Sequence, residues 1–366
     1  MANRIVDSVP AWALGPRSPN SKFDAGRITA GIPLVHNRLI AIQSLSGKLG
    51  LSGDDALRSS AHVLHEVRTT TRKYRCHNAP TAISFTELKT GIKAGKFPRW
   101  VAMTAPQFGF KGAERGGMIS KVPADREMAR ALHMEAITWS QELAQAGLGA
   151  GINIWWPAWT SRKVDDPTDP PISFDEAWDL MLKFWVDVLK TTGGYMWLEW
   201  KPGDPGVDYL MTIDLAIKFC QAVNTELGRF AMFINNEFAH ILLQGISVAD
   251  GVQRTVDAGL FNKFVHGNSG QKTAVDIQQL LAAGTRPEDI MIGTDHDWLV
   301  GHGGKENWDD QQKAIGIMDK AEPIIVWFEH DVNPAGLNPL VVFEQSIFNR
   351  RQMLENVRSV SPAGAV

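Results

Sequence analysis

The chain has 366 residues, 44% of them apolar, which is enough to bury the core of one large barrel or of two ordinary domains. Its net charge of −3 gives no indication of a nucleic-acid or anionic-membrane partner. The apolar runs are too short to span a bilayer, the N-terminus lacks a signal core, and Cys76 and Cys220 are too few for a disulfide framework, so we expect a cytoplasmic enzyme.

Short apolar runs alternate with helical patterns from residue 95 onward. Strands are predicted at 99–104, 151–156, 195–200, 229–235, 263–266, 289–294 and 323–330. Helices are predicted at 125–145, 173–190, 208–227, 237–258, 273–283, 308–320 and 339–357, the last of them after the seventh predicted strand. Ser173-Phe-Asp-Glu176 is a capping box that begins the second helix, and a break is predicted in the fourth helix near Gly245. Such alternation predicts parallel strands joined by right-handed crossovers.

One or two further strands before residue 95 bring the count to eight. Residues 34–42 and 75–83 are the candidates. We therefore predict an α/β fold, a single-domain (β/α)₈ TIM barrel, in preference to a doubly wound sheet. Residues 1–95 would carry the first one or two strands, 96–335 the barrel core with the functional site, and 336–366 a C-terminal helix and tail.

Carboxylates and histidines lie at or just after the ends of five successive predicted strands. They are Glu199, Glu237, His240, His266, Asp295, Asp297, Glu329 and Asp331. Active-site groups of a barrel lie at the C-terminal ends of its strands, where so many carboxylates would repel one another without counter-charge. Oxygen and imidazole ligands suit divalent cations such as Mn²⁺, Mg²⁺ or Co²⁺. A solvated loop charge is the alternative for any one residue, but it is a weaker account of the whole pattern.

Tryptophan is unusually frequent, with 13 residues against 3 tyrosines. Trp155 and Trp156 are among those near predicted strand ends. Core packing is one interpretation. The other is an aromatic wall that excludes water and stacks on the apolar face of a sugar.

Several of these segments carry a family resemblance. Glu199-Trp-Lys-Pro-Gly-Asp-Pro205 resembles the Glu-x-Lys-Pro-x-Glu-Pro motif of xylose isomerases, with Asp204 in place of the second Glu. Glu237-x-x-His240 and Asp295-x-Asp297 are similar to metal-binding segments of the same family, and residues 328–331 fall where its last ligand lies. His266-Gly-Asn268 resembles rhamnose isomerases instead, in which a strand-end histidine is a ligand.

The resemblance implies an aldose–ketose isomerase that acts on a small monosaccharide by a hydride shift between C1 and C2. One cation would be held by Glu199, Glu237, His266 and Asp331, and a second by Glu237, His240, Asp295 and Asp297. Lys201 would stabilise charge on the C1 oxygen, Glu199 would act with it at the reacting centre, Trp155 and Trp156 would exclude water, and Asn268 would bind substrate. A homo-oligomer, either dimer or tetramer, is expected.

Three departures from the family pattern stand out. The ring-opening His-x-x-Asp segment has no clear counterpart, and His77 is the best substitute. A predicted helix at 273–283 separates His266 from Asp295. Only 35 residues follow Asp331, so the C-terminal arm is short.

Two other functions stay open. A one-metal epimerase of the tagatose-epimerase type would use Glu199, Glu237, His266 and Glu329 and would transfer protons rather than a hydride. A catalytically silent, sugar-binding barrel subunit is the third. In each case the choice of sugar would depend on the loops at 105–122 and 156–172.

Overall fold

The structure is a computed structural model that describes fourteen ranges of the chain, which include the eight strands of the barrel. These are residues 4–10, 63–67, 89–90, 93–94, 100–104, 116–147, 152–155, 172–200, 202, 210–267, 307–322, 324–328, 349–350 and 352–359.

Eight parallel strands form a closed barrel in chain order. They are β1 (Arg4–Pro10), β2 (Val63–Val67), β3 (Trp100–Thr104), β4 (Ile152–Trp155), β5 (Met196–Leu198), β6 (Met232–Glu237), β7 (Phe261–His266) and β8 (Ile324–Phe328). Each strand pairs with the next, and β8 pairs with β1 to close the ring. The predicted (β/α)₈ barrel is confirmed.

The helices cover the outside of the barrel. They are α1 (Pro123–Gln145), α2 (Phe174–Thr192), α3 (Ile213–Leu227), α4 (Phe238–Leu243), α5 (Val248–Asp257) and α6 (Trp308–Ala321). A short 3₁₀ helix at Gly117–Ile119 precedes α1, and residues 352–359 are also helical.

The helix ends follow from local sequence. Ser173 accepts a hydrogen bond from the Glu176 backbone N–H at the start of α2, as the predicted capping box requires. The helix ends at Gly193, whose φ of 67° is a conformation that glycine adopts without a steric cost. Met181, Trp185 and Val188 then face the barrel, fully buried, at the spacing of one helical face. No helix in the described part of the chain combines the length and apolarity that crossing a membrane requires.

The first two strands differ from the sequence predictions. The candidate first strands at 34–42 and 75–83 lie outside the described residues, and β1 and β2 are other segments. Buried parallel strands usually read as continuous apolar runs, whereas β1 contains Arg4, Asp7 and Ser8. The predicted strand at 289–294 also lies outside the described residues. In the described residues, β7 pairs directly with β8.

Candidate metal centre

Three potential ligands stand at the C-terminal ends of three neighbouring strands. Glu199 directly follows β5, Glu237 is the last residue of β6, and His266 is the last residue of β7. Glu237 and His266 are register partners, so their side chains leave the sheet on the same face. The ligand atoms of the three residues lie within 4.8 Å of one another.

The three side chains make a compact buried cluster. The Nδ1 atom of His266 is 2.9 Å from Oε2 of Glu199 and 2.7 Å from Oε2 of Glu237. Glu199 is 5% exposed, and the other two residues are fully buried. One imidazole, even when protonated, balances only one of two ionised carboxylates, and uncompensated buried charge is costly.

This donor set fits a divalent cation. Carboxylate oxygens with one imidazole nitrogen suit Mg²⁺, Mn²⁺ or Co²⁺, and a cation would balance the remaining negative charge. A neighbouring polar atom also supports a cation site, because Oδ1 of Asn235 is buried and accepts no hydrogen bond from any residue in the described ranges. The cluster therefore has the ligand types of a cation site, with a buried amide oxygen beside them.

The barrel interior next to the cluster is aromatic. The Phe264 ring lies 5.4 Å from the His266 ring and 6.3 Å from the ring of Trp197. Trp197 in turn lies 5.4 Å from Phe233. These rings provide few polar partners of their own, so they keep the effective dielectric low and strengthen electrostatic interactions within the cluster.

An irregularity in β7 sets His266 opposite Glu237. Ile234 pairs with Phe261, but Asn236 pairs with Val265, so β7 has two more residues than β6 over this stretch. Lys263, an exposed residue in the extra segment, has a φ of 64°. Trp197 Nε1 donates to the Asn262 carbonyl oxygen at 3.0 Å and braces the bulge from β5.

His240 lies one helical turn beyond Glu237, in the short helix α4. It is 1% exposed, and its Nδ1 atom is 2.8 Å from the carbonyl oxygen of Trp200, the residue after Glu199. A proton on Nδ1 would be donated to that carbonyl, which leaves Nε2 as the ligand nitrogen. Metal-binding histidines are commonly held in this way. The compact set in the described residues contains Glu199, Glu237 and His266 but not His240.

Most of the other predicted site residues lie outside the described residues. They are His77, Trp156, Lys201, Asn268, Asp295, Asp297, Glu329 and Asp331. Trp155 is the last residue of β4, where it pairs with Leu198 at the end of β5. The roles given to these residues therefore stay predictions.

Sequence reasoning missed Asn235. Its Nδ2 donates to Oε2 of Glu199 at 3.0 Å, and the residue is fully buried. The signal was available, because Asn235 precedes Glu237 by two positions in a strand and so shares its face.

Solved structures of other proteins share the fold of this chain. No protein-family model matches the sequence, and no curated protein sequence does. A solved structure of an L-ribulose 3-epimerase is similar over 100% of both chains, with a TM-score of 0.55 and 11% identity. A D-tagatose 3-epimerase-like protein gives a TM-score of 0.50 at 13% identity, covering 96% of this chain and 98% of that one.

A further similar structure is a xylose isomerase-like TIM barrel protein from Mycobacterium smegmatis in complex with magnesium. Its TM-score is 0.51 at 14% identity, and the match covers 98% of this chain and 97% of that one. The chain therefore has the fold of the xylose isomerase-like TIM barrels.

Proposed function

We propose that this chain is an aldose–ketose isomerase that acts on a monosaccharide and requires two divalent cations. The observation that supports the proposal is the buried set of Glu199, Glu237 and His266 at the mouth of the barrel. Barrel enzymes carry their chemistry at this end of the strands. The similar structures are named as sugar epimerases or as xylose isomerase-like, which favours a sugar as substrate.

Two groups of residues would hold the cations. The first is the described cluster with Asp331 as a fourth ligand, and the second is Glu237 with His240, Asp295 and Asp297. The cations, when bound, would supply Lewis acidity to the sugar oxygens. The contact between Nδ1 of His240 and the Trp200 carbonyl supports the second group, because it fixes the orientation of the ring and makes Nε2 the ligand nitrogen.

The remaining residues would serve the substrate. Lys201 follows Trp200 directly in sequence, and its ammonium group would donate to the C1 oxygen as negative charge develops there. Trp155 and Trp156 would keep water from the reacting carbons, Asn268 would bind a hydroxyl, and His77 would assist ring opening. The C2 hydrogen would move with its electron pair to C1 while a proton passes from O2 to O1, so no atom is gained or lost.

A one-cation epimerase is the second candidate. It is favoured by the compactness of the three-residue cluster, which does not include His240, and by the position of Glu329 in the sequence directly after β8, the strand that pairs with β7. Such an enzyme would remove a proton from a carbon next to the carbonyl with one carboxylate and return a proton with another. His240 and the Asp295-x-Asp297 segment would then have no role.

Metal content and isotope transfer separate the two reactions. The full chain would be stripped with a chelator, reloaded with Mn²⁺ and measured for bound metal by elemental analysis. A panel of aldoses and ketoses would then be converted in heavy water under initial-rate conditions. Two cations per chain with little deuterium in the product would support the isomerase.

Two other outcomes would contradict the isomerase. One cation with near-complete deuterium incorporation would support the epimerase and contradict the isomerase. Bound metal without turnover of any sugar would point to a binding role. As a check on ligand grouping, Asp297→Asn should lose one cation of the two, whereas Glu226→Gln on the exposed surface of α3 should lose neither.

A further inference from the structure

Two adjacent asparagines in β6 have different partners. Asn235 and Asn236 are both fully buried, and successive residues of a strand face opposite sides of the sheet. Nδ2 of Asn236 donates to Oγ1 of Thr255 in α5, on the outside of the barrel, at 2.9 Å. Nδ2 of Asn235 donates instead to Oε2 of Glu199 at 3.0 Å, inside the barrel.

The Glu199 carboxylate is held through one of its oxygens. Oε2 contacts both Nδ2 of Asn235 and Nδ1 of His266. An ionised carboxylate can only accept hydrogen bonds, so the amide must present its NH₂ group to Glu199. This arrangement restricts rotation of the carboxylate and determines how its two oxygens are directed within the cluster.

The chemistry of the amide suits a metal centre. A lysine or arginine at this position would also hold Glu199, but its charge would compete with a cation for the carboxylate. A neutral donor orients the ligand and leaves its negative charge available. Hydrogen-bond donors that hold metal ligands in this way commonly contribute 10- to 100-fold to metal affinity.

We infer that Asn235 is a positioning residue of the metal centre, which acts on the cation through Glu199. The inference rests on the proposed function, because it requires that the cluster bind a cation. Asn236, on the other face of the same strand, contributes to stability alone.

The test compares substitutions of similar size at the two asparagines in the full chain. Mn²⁺ would be titrated into metal-free Asn235→Leu and Asn236→Leu and followed by calorimetry, with thermal unfolding measured for both. Asn235→Leu should weaken Mn²⁺ binding about 10- to 100-fold. Asn236→Leu should leave the affinity within about threefold of wild type, even where its stability falls. Asn235→Ala repeats the test with a smaller side chain if the leucine variant does not fold.

The outcomes distinguish this inference from the proposed function. Wild-type protein that binds Mn²⁺ while both Asn235 variants retain its affinity would overturn the positioning role alone. An equal loss in Asn236→Leu would also overturn it, because the effect would then reflect general destabilisation. Wild-type protein that binds no divalent cation would overturn both.

Discussion

Glu237→Gln should affect the free energy of unfolding differently with and without a cation. In metal-free protein the substitution removes one of two buried carboxylates, whose mutual repulsion within 4.8 Å is worth roughly 3 kcal/mol at an effective dielectric constant of about 20. It also weakens the 2.7 Å contact with His266, at a cost of about 1.5–3 kcal/mol for a charge-assisted hydrogen bond. These changes largely offset each other, so metal-free stability should stay within about 2 kcal/mol of wild type.

Saturating cation should then separate the two proteins. Each cation at a thousand times its Kd stabilises the wild type by about 4 kcal/mol. At an unfolding entropy of about 2.1 cal/mol/K per residue over 366 residues, this corresponds to a rise in Tm of about 5 °C per bound cation. Glu237→Gln should show little of that rise, because it loses a ligand that both cation groups share.

The assay is thermal unfolding followed by circular dichroism, after dialysis against a chelator and again with excess Mn²⁺. Glu226→Gln, an exposed substitution in α3, is the matched control and should keep the full shift. A wild-type Tm that does not respond to Mn²⁺, Mg²⁺ or Co²⁺ would refute the metal centre. An equal shift in Glu237→Gln would refute its assignment as a ligand.

Three further predictions concern stability. Lys263→Gly should raise the free energy of unfolding by about 1 kcal/mol in urea denaturation, because φ is 64° at this exposed position and glycine adopts such an angle without strain. A lower free energy of unfolding in the variant would show that the backbone of Lys263 is not strained. Asn224→Ala should lower the free energy of unfolding by about 3 kcal/mol, since the side chain makes three buried hydrogen bonds to the backbone of Ala231 and Met232. A decrease of less than about 1 kcal/mol would show that these bonds contribute little to stability. Burial lowers the pKa of His133 to about 3, so its stabilising contribution is present above the unfolded pKa of about 6.5 and is lost as pH falls toward 3. The free energy of unfolding of His133→Met should therefore fall less than that of wild type between about pH 6.5 and 4. If the two proteins lost stability in parallel, the lowered pKa of His133 would be contradicted.

Sequence patterns were sufficient to predict the fold class and the proximity of three candidate ligands. Strand–helix alternation predicts a barrel because parallel strands need crossover helices, and the C-terminal strand ends of a barrel converge on one mouth. Glu199, Glu237 and His266 follow predicted strands, so their proximity could be predicted without coordinates. The predicted break in the helix after Glu237 is also confirmed, at the turn between α4 and α5 that contains Gly245.

Features that depend on pairing between distant segments were determined only by the tertiary structure. β1 was missed because its polar residues obscure the apolar run, and its place is set by pairing with β8 at the other end of the chain. The bulge at Lys263 is fixed by register against β6, which no local propensity encodes. The partners of His240 and Asn235, at the Trp200 carbonyl and the Glu199 carboxylate, likewise arise across strands. Residue type and spacing determine which groups reach the barrel mouth, whereas their orientation depends on contacts that form only when the barrel closes.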